Sequence, residues 1–293
     1  MYKPAPQHWL ELLDAALICV FPPGLQMNSR FLILFLGMLL GLGQAAAQGD
    51  ARNKSTGNKP QPNVPGLAKF ALFHKTSPRP KATSPVSTTL PLTLQPEMSI
   101  AFVGNTLLDR SQDFGHLETL LHQAHPSHDL TVRNLAWSAD ALGLQPRPAN
   151  FADTDQHLVF VKADIVFMAF GFNESFAGPG GLAKFRGDLA DYIAAAKAKA
   201  FNGKTGPRLV LLSPIANENV EGVNAAENNT NIRLYADVMR GVAAEQRVGF
   251  VDLFSVTQKA MAAPRHDLTF NGCHLNDDGY RLFAKTVFEA VFG

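Results

Sequence analysis

Five short runs rich in Val, Ile, Leu and Phe recur through the C-terminal two thirds of the chain: "SIAFVG" (99–104), "DLTVRNL" (129–135), "ADIVFMAF" (163–170), "RLVLLS" (208–213) and "VGFVDL" (248–253). Runs of this length and composition predict strands buried on both faces. Between them apolar residues fall at helical spacing: Leu117, Leu120 and Leu121; Leu182, Phe185, Leu189, Tyr192 and Ile193; Ile232, Tyr235, Ala236 and Met239. A last amphipathic stretch, "DDGYRLFAKTVFEAVF", closes the chain. Buried strands alternating with amphipathic helices predict an α/β fold: a three-layer α/β/α sandwich on about five parallel strands, with right-handed crossovers. The expected domain spans 94–293.

The pattern is different before residue 94. "MNSRFLILFLGMLLGLGQAAAQGD" places Arg30 ahead of an apolar run from Phe31 to Leu42, with Ala45 and Ala47 at an A-x-A spacing. That is the pattern of a secretory signal peptide over 27–47, and it predicts an exported protein: periplasmic, cell-surface or secreted. The run is short for a bilayer span, so no transmembrane helix is expected in the mature chain. Residues 1–26 then form an upstream extension, with Met1 and Met27 both open as the start. Residues 48–93 are dominated by Pro, Ser, Thr, Lys and Gly without sustained periodicity and predict a disordered linker.

Charge sharpens this division. Residues 49–90 carry seven Lys or Arg and one acid, about +6, whereas residues 91–293 carry 17 basic and 22 acidic side chains, about −5. A mildly acidic domain gives no basic footprint for nucleic acid. The two cysteines are Cys19, in the leader region, and Cys273. One remaining thiol supports neither a structural disulfide nor a cysteine zinc site.

In a parallel α/β sheet, ligands bind beyond the carboxyl ends of the strands. The loops there read "GNTLLDR", "RNLAWSAD", "FGFNESFAGPGG" and "SPIANENVEG", and "LTFNGCHLNDDGY" precedes the last helix. They gather Asn105, Thr106, Asn134, Ser138, Asp140, Asn173, Glu174 and His274. Ser175 and Ser213 have no matching base in sequence, and the thiol of Cys273 is expected to pack inward, away from His274. His122, His125 and His128 lie around Pro126, which points to a solvated loop rather than a metal site.

Order and spacing of these loops resemble the SGNH, or GDSL, hydrolase superfamily. Gly104–Leu107 stands at the G-D-S-L block, Asn134–Ala136 at Asn-x-Gly, Gly171–Glu174 at G-x-N-D/E, and Asn271–His274 at D-x-x-H. The resemblance covers residues 98–293 and implies a flavodoxin-like fold, ester hydrolysis and no metal or organic cofactor. It further implies that Thr106 is the nucleophile, His274 its base and Asn271 the residue orienting His274. The Asn173 amide and the backbone N–H groups of Thr106 and Ala136 would form the oxyanion hole, with Asn105, Asn134 and Glu174 supporting the loops. Three positions depart from the family: Thr106 replaces serine, Ala136 glycine and Asn271 aspartate. Asp140 and Asp267 are alternative acids.

Two classes of function follow. One is an exported hydrolase acting on small-molecule or glycan acyl esters. The other is a catalytically impaired module of the same fold that binds glycans or acyl groups, or scaffolds a cell-surface assembly. Thr106 fits the first as a nucleophile and the second as a loop residue capping the helix after it.

Overall fold

The computed structural model describes residues 72–263 and 267–293. Its main sheet has five parallel strands: β2 (Ser99–Gly104), β3 (Thr131–Asn134), β4 (Ile165–Ala169), β6 (Arg208–Leu212) and β7 (Gly249–Val251), in the order β3-β2-β4-β6-β7. A separate antiparallel pair joins β1 (Lys81–Ala82) to β5 (Lys199–Ala200). The helices are α1 (Thr106–Asp109), α2 (His116–Ala124), α3 (Thr154–Phe160), α4 (Leu182–Lys197), α5 (Ala225–Gln246), α6 (Leu253–Met261) and α7 (Asp277–Phe292). This is the expected α/β/α sandwich.

Successive residues on a strand face opposite sides, so the central strands feed two cores. Ile100, Phe102, Ile165 and Phe167 meet Leu117 and Leu121 of α2 and Phe283 and Val287 of α7. Ala101, Val103, Val166 and Met168 meet Phe185, Leu189 and Ile193 of α4 and Met239 and Val242 of α5. Burial on both faces removes the alternation that a half-exposed sheet would show.

Strand order places the functional end. The chain leaves β2 for β3 on one side, then crosses back to β4 on the other. The loops after β2 and β4 therefore diverge and open a crevice at the strands' carboxyl ends. Gly104 makes the exit possible: its φ is +142°, and a Cβ there would collide with the Ala169 carbonyl of β4.

Two features differ from expectation. Residues 72–93, read as linker, pack on the domain. β1 pairs with β5, the Thr88 hydroxyl accepts from the Leu209 N–H (3.0 Å), and Leu92 is buried, donating to the Val291 carbonyl (2.6 Å). Only scattered positions of this extended segment are buried, so no periodicity betrays it. Helix α3 was also unread, although Asp153 and Gln156 form a capping box at its start. The expected signal peptide at 27–47, the extension at 1–26 and linker residues 48–71 lie outside the described residues. Among the described residues no helix is long and apolar enough to cross a membrane.

Candidate active site

Thr106 is the first residue of α1, directly after β2. Asn105 caps that helix: its side chain accepts from the Leu107 N–H (3.1 Å) and its own N–H donates to the Ala169 carbonyl (3.1 Å). Tyr280 of α7 steadies the turn by donating its hydroxyl to the Leu107 carbonyl (2.8 Å). The Thr106 backbone N–H, at a helix start, has no protein acceptor among the described residues.

The loop after β3 wraps over this turn. Asn134 donates to the Leu108 carbonyl (2.6 Å) and accepts from the Ala136 N–H (3.1 Å). That bond occupies the Ala136 N–H that was expected in the oxyanion hole. The residue whose N–H meets Thr106 is instead Ala139. Its N–H donates to the Thr106 hydroxyl oxygen (3.0 Å), and its backbone is left-handed (φ 64°), the conformation in which a glycine is expected. Ser138 donates to the Asp109 carboxylate and ties the loop down.

The loop after β4 brings Asn173 and Glu174. The Asn173 amide donates to the carbonyls of Ala139 and Asp140, both at 3.1 Å. The amide is thus bonded on the carbonyl side of Ala139, the residue whose N–H points at Thr106, rather than standing free as an oxyanion donor. The Glu174 carboxylate accepts from the N–H groups of Gly171 (2.8 Å) and Leu142 (2.9 Å), joining the two loops.

His274 arrives on the loop before α7. Asn271 accepts, through Oδ1, from the backbone N–H of His274 (3.1 Å) and of Cys273 (3.4 Å). These two donors fix the amide's orientation and turn Nδ2 toward His274 Nδ1, 3.1 Å away. Nδ1 must then accept, so the neutral imidazole carries its proton on Nε2. Burial, and then the positive charge of Arg110, hold His274 below the ordinary histidine pKa. The thiol of Cys273 does not turn away as expected: Sγ lies 3.7 Å from His274 Nδ1. Burial raises its pKa, which keeps it a thiol rather than a thiolate.

The residue that secures this loop was missed in sequence. Glu218, after β6, is buried, and its carboxylate accepts from the N–H groups of Leu268 (2.8 Å) and Thr269 (2.8 Å) and from the Thr269 hydroxyl (2.6 Å). Its own N–H and the Asn217 side chain both donate to the Gly272 carbonyl, at 2.8 and 3.0 Å. Glu218→Ala strands these donors and is expected to cost about 1–3 kcal/mol of stability. It should also lower turnover of the still-folded protein by on the order of 10²-fold, through displacement of His274. Urea unfolding and initial rates check both; unchanged turnover would remove the clamp from the account.

Thr106, Ala139, Asn173, Cys273 and His274 line one cleft of about 230 Å³, with an apolar wall of Leu107, Phe170, Phe172, Pro214 and Ile215. No hydrogen bond joins Thr106 to His274 among the described residues. Neither alternative acid reaches the imidazole there: Asp140 is buried against Arg147 (2.6 Å), and the Asp267 backbone carbonyl serves Asn276. Ser175 and Ser213 bond backbone groups inside the fold. Among the described residues no group of three or more His, Cys, Asp or Glu side chains could hold a metal ion.

Residues 99–282 match the model of the GDSL-like lipase/acylhydrolase family. The chain belongs to that family. Its fold is shared with a protein from Parabacteroides merdae described as a GDSL-like lipase (TM-score 0.54, 17% identity, 67% of this chain and 96% of the other). It is likewise shared with Axe2, an acetylxylan esterase from Geobacillus stearothermophilus (0.53, 16%, 68% and 95%). A third is LAE5, an α/β hydrolase enzyme from the metagenome of Lake Arreo, Spain (0.50, 17%, 67% and 95%). No curated protein matches the chain in sequence.

For a GDSL-like acylhydrolase, the departures now have a geometry. Thr106 keeps its hydroxyl in the cleft and under an N–H donor, so the added methyl has not turned the oxygen inward. Asn271 keeps the loop contacts that a carboxylate would make but imposes the opposite proton on His274.

Proposed function

We propose that this chain is an exported hydrolase of carbohydrate-linked acyl esters that works through an acyl-threonine at Thr106. The observation that carries this reading is the Ala139 N–H on the Thr106 hydroxyl, in a cleft that also contains His274. Thr106 Oγ attacks the ester carbonyl carbon while His274 Nε2 takes the hydroxyl proton. The Thr106 N–H stabilises the oxyanion, joined by the Ala139 N–H once Oγ has bonded to the carbonyl carbon and released it, while Asn173 holds the Ala139 and Asp140 carbonyls. His274 returns the proton to the departing alcohol, and water then hydrolyses the acyl-threonine to the free acid. Before the first transfer His274 must change tautomer and its Nδ1 part from the Asn271 amide, so that Nδ1 carries the proton and Nε2 is free to accept one.

The carbohydrate assignment draws on the acetylxylan esterase of similar fold and on the leader pattern at 27–47. Catalytic mutants of that esterase replace a serine, an aspartate and a histidine, the last two spaced as Asn271 and His274 are here. Acetate release from acetylated xylo-oligosaccharides and from 4-nitrophenyl acetate tests the proposal; a folded chain inactive on both contradicts it. The Asn271 amide on His274 favours a second reading, a binding module for acyl glycans, which predicts binding without turnover.

The acid limb of activity carries a further expectation. His274 acts as a base only when neutral, and its lowered pKa keeps it neutral to lower pH than an ordinary histidine. The acid-side midpoint of kcat/KM should therefore fall below about 6.5. Arg110→Gln removes the neighbouring positive charge and should move that midpoint upward; a midpoint that stays in place would leave burial as the whole cause of the shift.

A further inference from the structure

A second, smaller pocket of about 190 Å³ is lined in part by Asn134, Leu135 and Trp137 of the loop that covers Thr106. Trp137, 40% exposed, stands at its mouth with its ring against Phe151 (centroids 5.6 Å apart) and the Arg147 guanidinium 4.3 Å from the indole centroid. Arg147 brings no free charge, because both its terminal nitrogens bond the buried Asp140 carboxylate, at 2.9 and 2.6 Å. His157 also lines the pocket; its Nε2 is buried with no hydrogen-bond partner among the described residues. Burial, and then Arg147, lower the His157 pKa, which keeps the ring neutral. Aromatic faces beside one unspent, uncharged imidazole nitrogen suit a polyhydroxylated ring better than an anion or an alkyl chain.

The pocket's position ties it to the cleft. The Trp137 backbone N–H donates to the carbonyl of Gly104 (3.0 Å), two residues before Thr106. Ala139, whose N–H bonds the Thr106 hydroxyl, is two residues further on, so its Cα is within about 7 Å of that of Trp137.

We propose that this pocket, walled by Trp137, Phe151 and His157, is a subsite that seats one neutral sugar ring and presents the ester on it to Thr106. The proposal rests on the carbohydrate-ester reading of the cleft and names where the sugar is held. Trp137 is the sugar's reporter, since the sequence has only one other tryptophan, Trp9.

The test uses the full chain carrying Trp9→Phe, titrated with neutral tetrasaccharides of xylose, glucose and N-acetylglucosamine while Trp137 emission is followed. At least one is expected to give a saturable change that weakens about tenfold in His157→Ala, the loss of one ligand hydrogen bond. The same variant should raise KM for the acetylated form of that sugar and leave turnover of 4-nitrophenyl acetate unchanged. Thr154 also lines the pocket, its hydroxyl donating to Gln145 (3.1 Å) and keeping its acceptor side; Thr154→Val, of the same shape, is the second variant and should act in the same direction. No response to any of the three sugars overturns the proposal, as does an undiminished response in both variants. A Trp137 response in a chain that hydrolyses neither ester leaves the subsite standing and removes the catalytic reading. Turnover without a Trp137 response does the reverse.

Discussion

Asn271→Asp is expected to raise esterase turnover by on the order of 10²- to 10⁴-fold, the inverse of what the opposite exchange does in a serine protease triad. In the native site the Asn271 amide donates to His274 Nδ1, which leaves the proton on Nε2, the wrong nitrogen for accepting one from Thr106. Aspartate has the same shape and still offers an oxygen to the backbone N–H groups of Cys273 and His274. Its second oxygen accepts from Nδ1–H, frees Nε2 and stabilises the imidazolium formed during attack. The gain belongs in kcat, because Asn271 does not line the cleft and KM should change little. A ¹⁵N spectrum of the His274 ring would register the exchange of tautomers independently of activity. An aspartate variant no faster than the native chain, with its tautomer switched, would show that proton transfer through His274 does not limit the reaction.

The second large effect concerns Thr106. Thr106→Ala and His274→Ala should each reduce turnover to background, and the double variant should lose no more than either alone, because nucleophile and base act as one unit. Additive losses would mean that the two residues serve separate steps. Thr106→Ser should remain active, and equal or exceed the native chain. Serine keeps the oxygen that accepts from the Ala139 N–H and lacks the methyl group that restricts rotation about χ1. A serine variant weaker than Thr106→Ala would be incompatible with attack by residue 106.

The legible parts of this molecule are those written in local pattern. β2 was read at its true bounds because all six of its residues are buried. The last helix was read because its apolar face repeats through sixteen residues behind the Asn276 cap. The order of Thr106, Asn173 and His274 along the chain was legible too, since the parallel sheet delivers successive loops to one edge. What stayed hidden depends on distance or on backbone angle. Glu218 reaches Leu268 across fifty residues, and nothing near it in sequence marks it as the clamp of the His274 loop. Ala139 could not be told from Ala136 by spacing, because the distinction lies in a left-handed backbone and a single N–H direction. The proton position on His274 needed the two backbone donors that orient Asn271. The start of helix α3 is a different case: its capping box is local and could have been read.

The central claim is that Thr106 becomes acylated. Mass spectrometry of the full chain after brief exposure to an activated ester, followed by acid quench and peptide mapping, tests it most directly. The account predicts an acyl group on the peptide containing Thr106, absent from Thr106→Ala and appearing in step with the first release of alcohol. An acyl group on Cys273 instead, or steady turnover with no modified peptide, would contradict it.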